Sequence, residues 1–240
     1  MRFDLSTDVG AGGDDGPLYA IVSSVNIACG GYTGDREDMR LSVQLAVQHR
    51  VAIGALAGYA VPEGAVGASY EELARAVAVQ VASLARIAEK RGSRIAHVRP
   101  QGNLYGRTAA DATVAEAFVT AVWSIDPTLR IVGLAGSELP AIARGMGMDV
   151  VEEAFADLRY TDDGTPADPA EPGAVISNPD EAAAQALSIA LGRAVDTIDD
   201  RAIAVRADTI CIRNGAPESI EIARAVRDAL AGAGLIIAPP

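Results

Sequence analysis

The sequence predicts an α/β protein built on a parallel sheet, and two observations carry that reading. Short β-branched or apolar runs alternate with longer Ala-rich amphipathic segments along the chain. Strands alternating with helices pair in parallel through right-handed crossovers. The length, 240 residues, suits one large domain and is what an α/β barrel alone would use.

The elements follow in order. A first strand, residues 2–5, is followed by the polar, glycine-rich stretch Gly10-Ala11-Gly12-Gly13-Asp14-Asp15-Gly16. A second, residues 25–28, is β-branched, breaks at Gly30-Gly31 and ends on Gly34-Asp35, an acid placed to open the helix over residues 36–50. Further strands are predicted at residues 52–54, 94–98, 130–133, 149–152, 208–212 and 235–237. Helical periodicity covers residues 70–91, 110–124, 137–145, 179–191 and 217–231. Asn178-Pro179-Asp180 reads as a helix start, and Gly92 and Gly232 as stops. Residues 161–172 hold three prolines and four acids between a strand and a helix, the pattern of a lid or a surface excursion.

Half of the residues are hydrophobic but 4% are aromatic, so the core is to be packed with Ala, Val, Ile and Leu. A formal net charge of -12 argues against nucleic acid and against anionic membrane surfaces. No apolar run approaches the roughly 20 residues that span a bilayer, and no basic region followed by an apolar one opens the chain, so a cytoplasmic location is expected. Cys29 and Cys211 lack C-x-x-C spacing and indicate neither a disulfide framework nor a zinc site. The glycine-rich stretch after the first strand carries paired acids that would repel a pyrophosphate, and there is no G-x-x-x-x-G-K-[ST].

The segment Asn26-Ile27-Ala28-Cys29-Gly30-Gly31-Tyr32-Thr33-Gly34-Asp35 closely resembles one in the LamB/YcsF family, the 5-oxoprolinase A-subunit proteins, where it reads N-I-A-C-G-F-H-A-G-D. Other retained words are Val132-Gly133-Leu134-Ala135-Gly136-Ser137-Glu138-Leu139, Glu152-Glu153-Ala154-Phe155-Ala156-Asp157, Pro172-Gly173-Ala174-Val175-Ile176 and Arg206-Ala207-Asp208-Thr209. The resemblance spans nearly the whole chain. It implies a single distorted (β/α) TIM-like barrel, residues 1–240, related to metal-dependent deacetylase-like barrels. It also implies action with oxoprolinase B and C type subunits in the ATP-dependent opening of 5-oxoproline to glutamate. ATP would then enter only through those partners, with no cofactor bound by this chain; a homo-oligomer stays open.

Four histidines of the family pattern are replaced together. G-A-H-P-G-Y-P-D reads here Gly54-Ala55-Leu56-Ala57-Gly58-Tyr59-Ala60-Val61. H-V-K-P-H-G-A-L-Y reads His97-Val98-Arg99-Pro100-Gln101-Gly102-Asn103-Leu104-Tyr105, and C-L-H-G-D reads Cys211-Ile212-Arg213-Asn214-Gly215. With Tyr32, the substitutes are Leu56, Gln101 and Arg213. Leu56 neither ligates nor titrates, and Arg213 is a fixed cation, so no metal site of the family type is expected.

The groups left at predicted strand ends are the candidate site. Asp8, Glu153 and Asp157 are the candidate acids and bases, since two nearby carboxylates can divide those roles. Asn26, Tyr32, Tyr59, Arg99, Gln101, Asn103, Tyr105, Arg159 and Arg213 are the candidate substrate contacts. Each also has a plainer role open to it. Asp8 can cap a turn, and Glu153 and Asp157 can form salt bridges with Arg159 or Arg99. Asp35 reads as a helix cap, Cys29 as a small buried hydrophobe, His97 as a core histidine, His49 as a helix-end or surface residue and Asp208 as a structural ion-pair partner. Two function classes follow. One is an enzyme on a small lactam, amide or acid, either a 5-oxoprolinase A-type component or a repurposed biosynthetic enzyme. The other is a non-catalytic barrel that binds a metabolite or supports a partner subunit.

Overall fold

The computed structural model describes residues 1–31, 33–59 and 69–240. The strands in chain order are β1 (Arg2–Val9), β2 (Ser24–Ala28), β3 (Ala52–Ala57), β4 (Ile95–Pro100), β5 (Arg130–Leu134), β6 (Val150–Phe155), β7 (Ala194–Asp196), β8 (Ala202–Ala204), β9 (Thr209–Ile212) and β10 (Ile236–Ile237). The helices are α1 (Arg36–His49), α2 (Tyr70–Glu89), α3 (Asn103–Ala110), α4 (Ala112–Ile125), α5 (Glu138–Gly145), α6 (Pro179–Ala190) and α7 (Ser219–Gly232).

Strands β1 to β6 pair in sequence, β6 pairs with β9, and β9 pairs back onto β1, so seven parallel strands close a barrel. Strand β10 extends the start of β1, pairing Arg2 with Ile236. Closure lets every barrel strand pair on both sides, and the helices pack around the outside. The sequence prediction of an α/β barrel is met.

Side chains alternate across each strand, and the two faces differ in kind. Outward residues such as Leu5, Val25, Ile27, Ile53, Val98, Ile131 and Ile210 join Val43, Leu84, Phe118, Leu139 and Val226 of the helices in one apolar core. Inward positions are largely polar: Asp4, Ser6 and Asp8 of β1, Ser24 and Asn26 of β2, His97 and Arg99 of β4, Glu153 of β6 and Thr209 of β9. A buried polar lining is stable only if its groups bond to one another.

That lining explains where the predicted strands stop short. Each of β1, β3, β4 and β6 runs two to four residues past its predicted end, and the added inward residues of β1 and β4, with Glu153 of β6, are polar or charged. Helix boundaries fall closer to expectation because their caps are local. The Asp35 carboxylate accepts the Glu37 and Asp38 amides at 2.7 and 2.9 Å while Asp38 accepts the Asp35 amide, a reciprocal box at the start of α1. Asn178 caps α6 through the Asp180 and Glu181 amides. Helix α3 and the hairpin β7–β8 add to the predicted elements; α3 is short and carries Gly106 in its middle.

The loop over residues 161–172 forms a wall at the carboxyl end of the barrel, braced from behind. Its Asp162 accepts from Thr197 Oγ1 at 3.0 Å and pairs with Arg201 at 2.6 Å, both in the β7–β8 hairpin region. Among the described residues no helix is long and apolar enough to cross a membrane.

Candidate active site

The carboxyl ends of the strands bring one cation and two carboxylates together. Arg99, on β4, turns its guanidinium into the barrel, where Nε lies 2.9 Å from both oxygens of Glu153 and Nη2 lies 2.7 Å from Oε2. Its Nη1 reaches Asp8 Oδ2 at 3.1 Å and the Pro100 carbonyl at 3.4 Å. The Tyr105 ring covers the guanidinium, with Cζ 4.3 Å from the ring centroid. Burial works against the Arg99 charge, but Asp8 and Glu153 outweigh it and hold the guanidinium protonated. Lys could not replace this arrangement, since a single ammonium lacks the planar fork that serves two carboxylates at once.

The two carboxylates differ in access. Glu153 is 0% exposed with both oxygens on Arg99, whereas the Asp8 side chain is 35% exposed. Asp8 Oδ1 accepts from Asn26 Nδ2 at 2.9 Å, so both Asp8 oxygens are anchored from within and their remaining lone pairs face the mouth. Asn26 is oriented in turn by His97, whose Nε2 lies 2.8 Å from Asn26 Oδ1. With the Asn26 amide nitrogen turned to Asp8, Oδ1 is the acceptor, and His97 donates from Nε2. Burial first, then the Arg130 and Arg99 charges, lower the His97 pKa to about 4, so the ring is neutral. Gly54 of β3 makes room for it: a Cβ there would lie 1.9 Å from His97 Nε2. The expected core histidine is found, and it also governs Asp8 through Asn26. Its spacing of two from Arg99 on one strand puts both on the same face, a signal available in the sequence.

A second ion pair flanks the first. Arg213, just past β9, donates from Nε to Asp157 Oδ2 at 2.9 Å and from Nη2 to the Asp157 carbonyl at 3.3 Å. The Arg213 side chain is 29% exposed, and its Nη1 has no hydrogen-bond partner among the described residues. Burial pushes the Asp157 carboxyl up, opposed by Arg213. Among the described residues Asp157 Oδ1, the Tyr105 hydroxyl, the Gln101 carbonyl oxygen and His97 Nδ1 are buried without partners. Burial and then the Glu153 charge push the Tyr105 phenol upward, so it is a donor rather than a base. Gln101 donates to Thr33 Oγ1 at 2.5 Å.

Asp8, Asn26, Arg99, Glu153 and Tyr105 thus form one connected cluster, with Asp157 and Arg213 as a second pair. The remaining candidates stand apart from these hydrogen bonds. Tyr59 is held by Arg107, whose Nη1 donates to its hydroxyl at 2.5 Å, and Asn103 opens α3 on the surface. Arg159 pairs with Glu181 of α6, not with Glu153 or Asp157. Asp208 accepts the Glu152 amide at 2.9 Å in place of an arginine partner. Tyr32 lies outside the described residues. Cys29 donates to the Ile27 carbonyl and is buried, which pushes its thiol up to about 12 and fits the structural reading. Asp15 accepts the Gly10 amide at 2.7 Å and Asn214 Nδ2 at 2.5 Å, tying the loop after β1 to the loop after β9.

The donor set does not fit a divalent cation. Glu153 gives both oxygens to a guanidinium and Asp8 gives one, so an ion on these carboxylates would sit against a fixed positive charge. Leu56 is buried without any donor atom to offer. Among the described residues no three His, Cys, Asp or Glu side chains gather in a metal-holding group.

Known proteins match this chain along its length. It is 36% identical over a 250-residue alignment to a 5-oxoprolinase A-subunit from Rhodopseudomonas palustris, covering 100% of this chain and 98% of the relative. The structure of a lactam utilization protein from Thermus thermophilus superposes with a TM-score of 0.93 at 37% identity, covering 99% of each chain. A family 4 carbohydrate esterase from Streptomyces lividans shares the fold alone, with a TM-score of 0.54 and 11% identity over 98% of this chain and 91% of that one. The family model described as LamB/YcsF matches residues 2–240, and the chain belongs to the LamB/YcsF family.

Proposed function

We propose that this barrel is a 5-oxoprolinase A-type enzyme that opens the C–N bond of a small lactam or amide at its mouth, without a bound metal. The observation that carries the proposal is Asp8: a carboxylate fixed by Arg99 and Asn26 from behind and open in front. Such a group takes a proton from water as the water oxygen bonds to the amide carbon. The C–N bond then breaks, and the leaving nitrogen takes up the proton that Asp8 gained from the water, while buried Asp157 stays paired with Arg213. Arg213, partly exposed beside it, meets the anionic group of the substrate. Glu153 neutralises and orients Arg99 rather than touching substrate. The family name of the relatives supports oxoprolinase B and C type subunits as partners, with ATP handled there. A cytoplasmic setting belongs to the same proposal.

The test is release of glutamate from 5-oxoproline by the chain with its partner subunits and ATP, in parent and Asp8→Asn. Loss of turnover in Asp8→Asn is the expected outcome, with turnover by the parent unchanged when this chain alone is treated with a chelator and desalted before the partner subunits, ATP and Mg²⁺ are added. Full turnover in Asp8→Asn would sink the assignment. Leu56, where the family has a histidine, favours a second reading, a barrel that binds a metabolite without turning it over. That reading predicts binding in the parent and no turnover under any pairing of subunits.

A further inference from the structure

A cleft of about 520 Å³ opens beside the mouth, between α3, the end of β5 and the loop over residues 161–172. We infer that this cleft takes an apolar, aryl-sized substituent of the same small molecule whose polar group reaches the mouth, so that the site accepts amides larger than 5-oxoproline as well as 5-oxoproline itself. The inference rests on the proposed function and extends its substrate class.

The cleft's floor is chemically unlike the mouth. Leu134, Phe155 and Leu158 form an apolar cluster of their own with Cys211, joined by Tyr105 and Ala109, and separate from the core between sheet and helices. Apolar side chains lining an open cavity gain when a ligand displaces the water from them. Among the described residues no Lys, Arg or His lines the cleft. Two of its three acids are turned to their own loop, Asp163 accepting from Thr161 and from the Thr165 amide and hydroxyl and Asp168 accepting the Ala170 amide, and the third, Glu138, adds a negative charge from the first turn of α5. An anionic group is therefore disfavoured here and favoured at Arg213, which fixes the direction in which a molecule with one charged and one apolar end must lie.

Tyr105 joins the two halves. Arg99 lies over its ring, and the ring also borders the cleft, where it meets Phe155 edge to face at 5.9 Å and 75°. A third ring can extend this edge-to-face pair. The outer wall is braced by Thr197 and Arg201 through Asp162, so the cleft stands formed before any ligand arrives.

The test compares N-acetylglycine with N-benzoylglycine by calorimetric titration; the two share an amide and a carboxylate and differ in the apolar group. The benzoyl compound is expected to bind at least about tenfold tighter to the parent, the effect of burying one ring. Filling the cleft with Ala109→Trp or Ala135→Trp is expected to bring the two acids to within about twofold of each other, a ratio taken from variants whose melting shows a folded protein. Binding of N-acetylglycine with no gain for N-benzoylglycine overturns the cleft alone, as does a preference that survives both tryptophans. Failure of both acids to bind the parent overturns the reading of the mouth and the cleft with it.

Discussion

The base and the mouth of the barrel each hold a carboxylate of β1, and they satisfy it by opposite means. Asp4, at the base, is 2% exposed and accepts from the hydroxyls of Ser23, Ser24 and Thr209, each at 2.7 Å. Burial raises its pKa, and those neutral donors counter the rise. Asp8, four residues on, is held by a guanidinium and an amide and stays open to solvent. A ring of hydroxyls closes a site, since its lone pairs are taken up inside. A charged fork behind a half-exposed carboxylate leaves reactive lone pairs on the outside. The difference separates architecture from chemistry on a single strand.

The hardest blow to that comparison is Arg99→Ala. It strands Glu153 as a fully buried carboxylate with no countercharge, and the expected loss is about 3–5 kcal/mol in urea denaturation. The same reasoning expects Arg99→Met with Glu153→Leu to recover most of it, because the pair is then replaced rather than broken. A cost below about 1 kcal/mol for Arg99→Ala would mean that solvent reaches Glu153. Arg99→Ala is accordingly a poor probe of ligand binding, and Arg213→Ala is the better one.

Next in size is the pH response of His97. Its folded pKa, about 4, lies below the ordinary value of 6.5. The unfolded chain therefore takes up the proton first, and stability falls as pH drops from about 6.5 towards about 4, by on the order of 3 kcal/mol, then levels off. Buried Asp4 and Asp157, with raised values, act in the opposite sense near the acid end, where protonation favours the folded state. His97→Gln keeps a donor towards Asn26 without titrating, so its melting temperature should fall less over that window. Identical pH profiles for parent and variant would place water beside the ring.

Asp4→Ala should cost about 2 kcal/mol, since Ser23 and Thr209 have second acceptors at 3.2 Å in Leu5 and Ser6. Turnover by the folded variant should match the parent, and lost turnover at intact stability would erase the contrast between base and mouth. The smallest effect on stability belongs to Asp8→Asn, about 1–2 kcal/mol, since its amide oxygen can accept from Arg99 or from Asn26 while its amide nitrogen meets the other donor, and binding or turnover is lost. Melting temperature and activity measured on the same sample separate the two.

The sequence announced the outside of the barrel better than its inside. Outward strand residues such as Val25, Ile27 and Ile131 read as strand because they are apolar and β-branched. Ser6, Asp8, Arg99 and Glu153 read as loop or strand end because nothing local reveals that they face a polar interior. Asp8, Asn26, Arg99, Glu153 and Tyr105 were legible as site candidates through the family pattern. Their mutual pairing was not, because it depends on strands separated by up to 145 residues of sequence, 8 to 153. Arg159 misled for the same reason: its near neighbours Glu153 and Asp157 are in reach by sequence, but β6 ends at Phe155 and the chain turns it towards Glu181 on α6.

Gly54 and His97 carry a lesson for changing this protein. A Cβ at position 54 would collide with the imidazole, so while His97 stands no other residue can enter position 54, however conservative. The two sites can drift only as a pair, and the alternative to glycine is reachable only after the histidine has shrunk. A library that randomises the mouth one codon at a time will score position 54 as immutable. One that varies both together can find barrels in which Asn26, and through it Asp8, is aimed somewhere new.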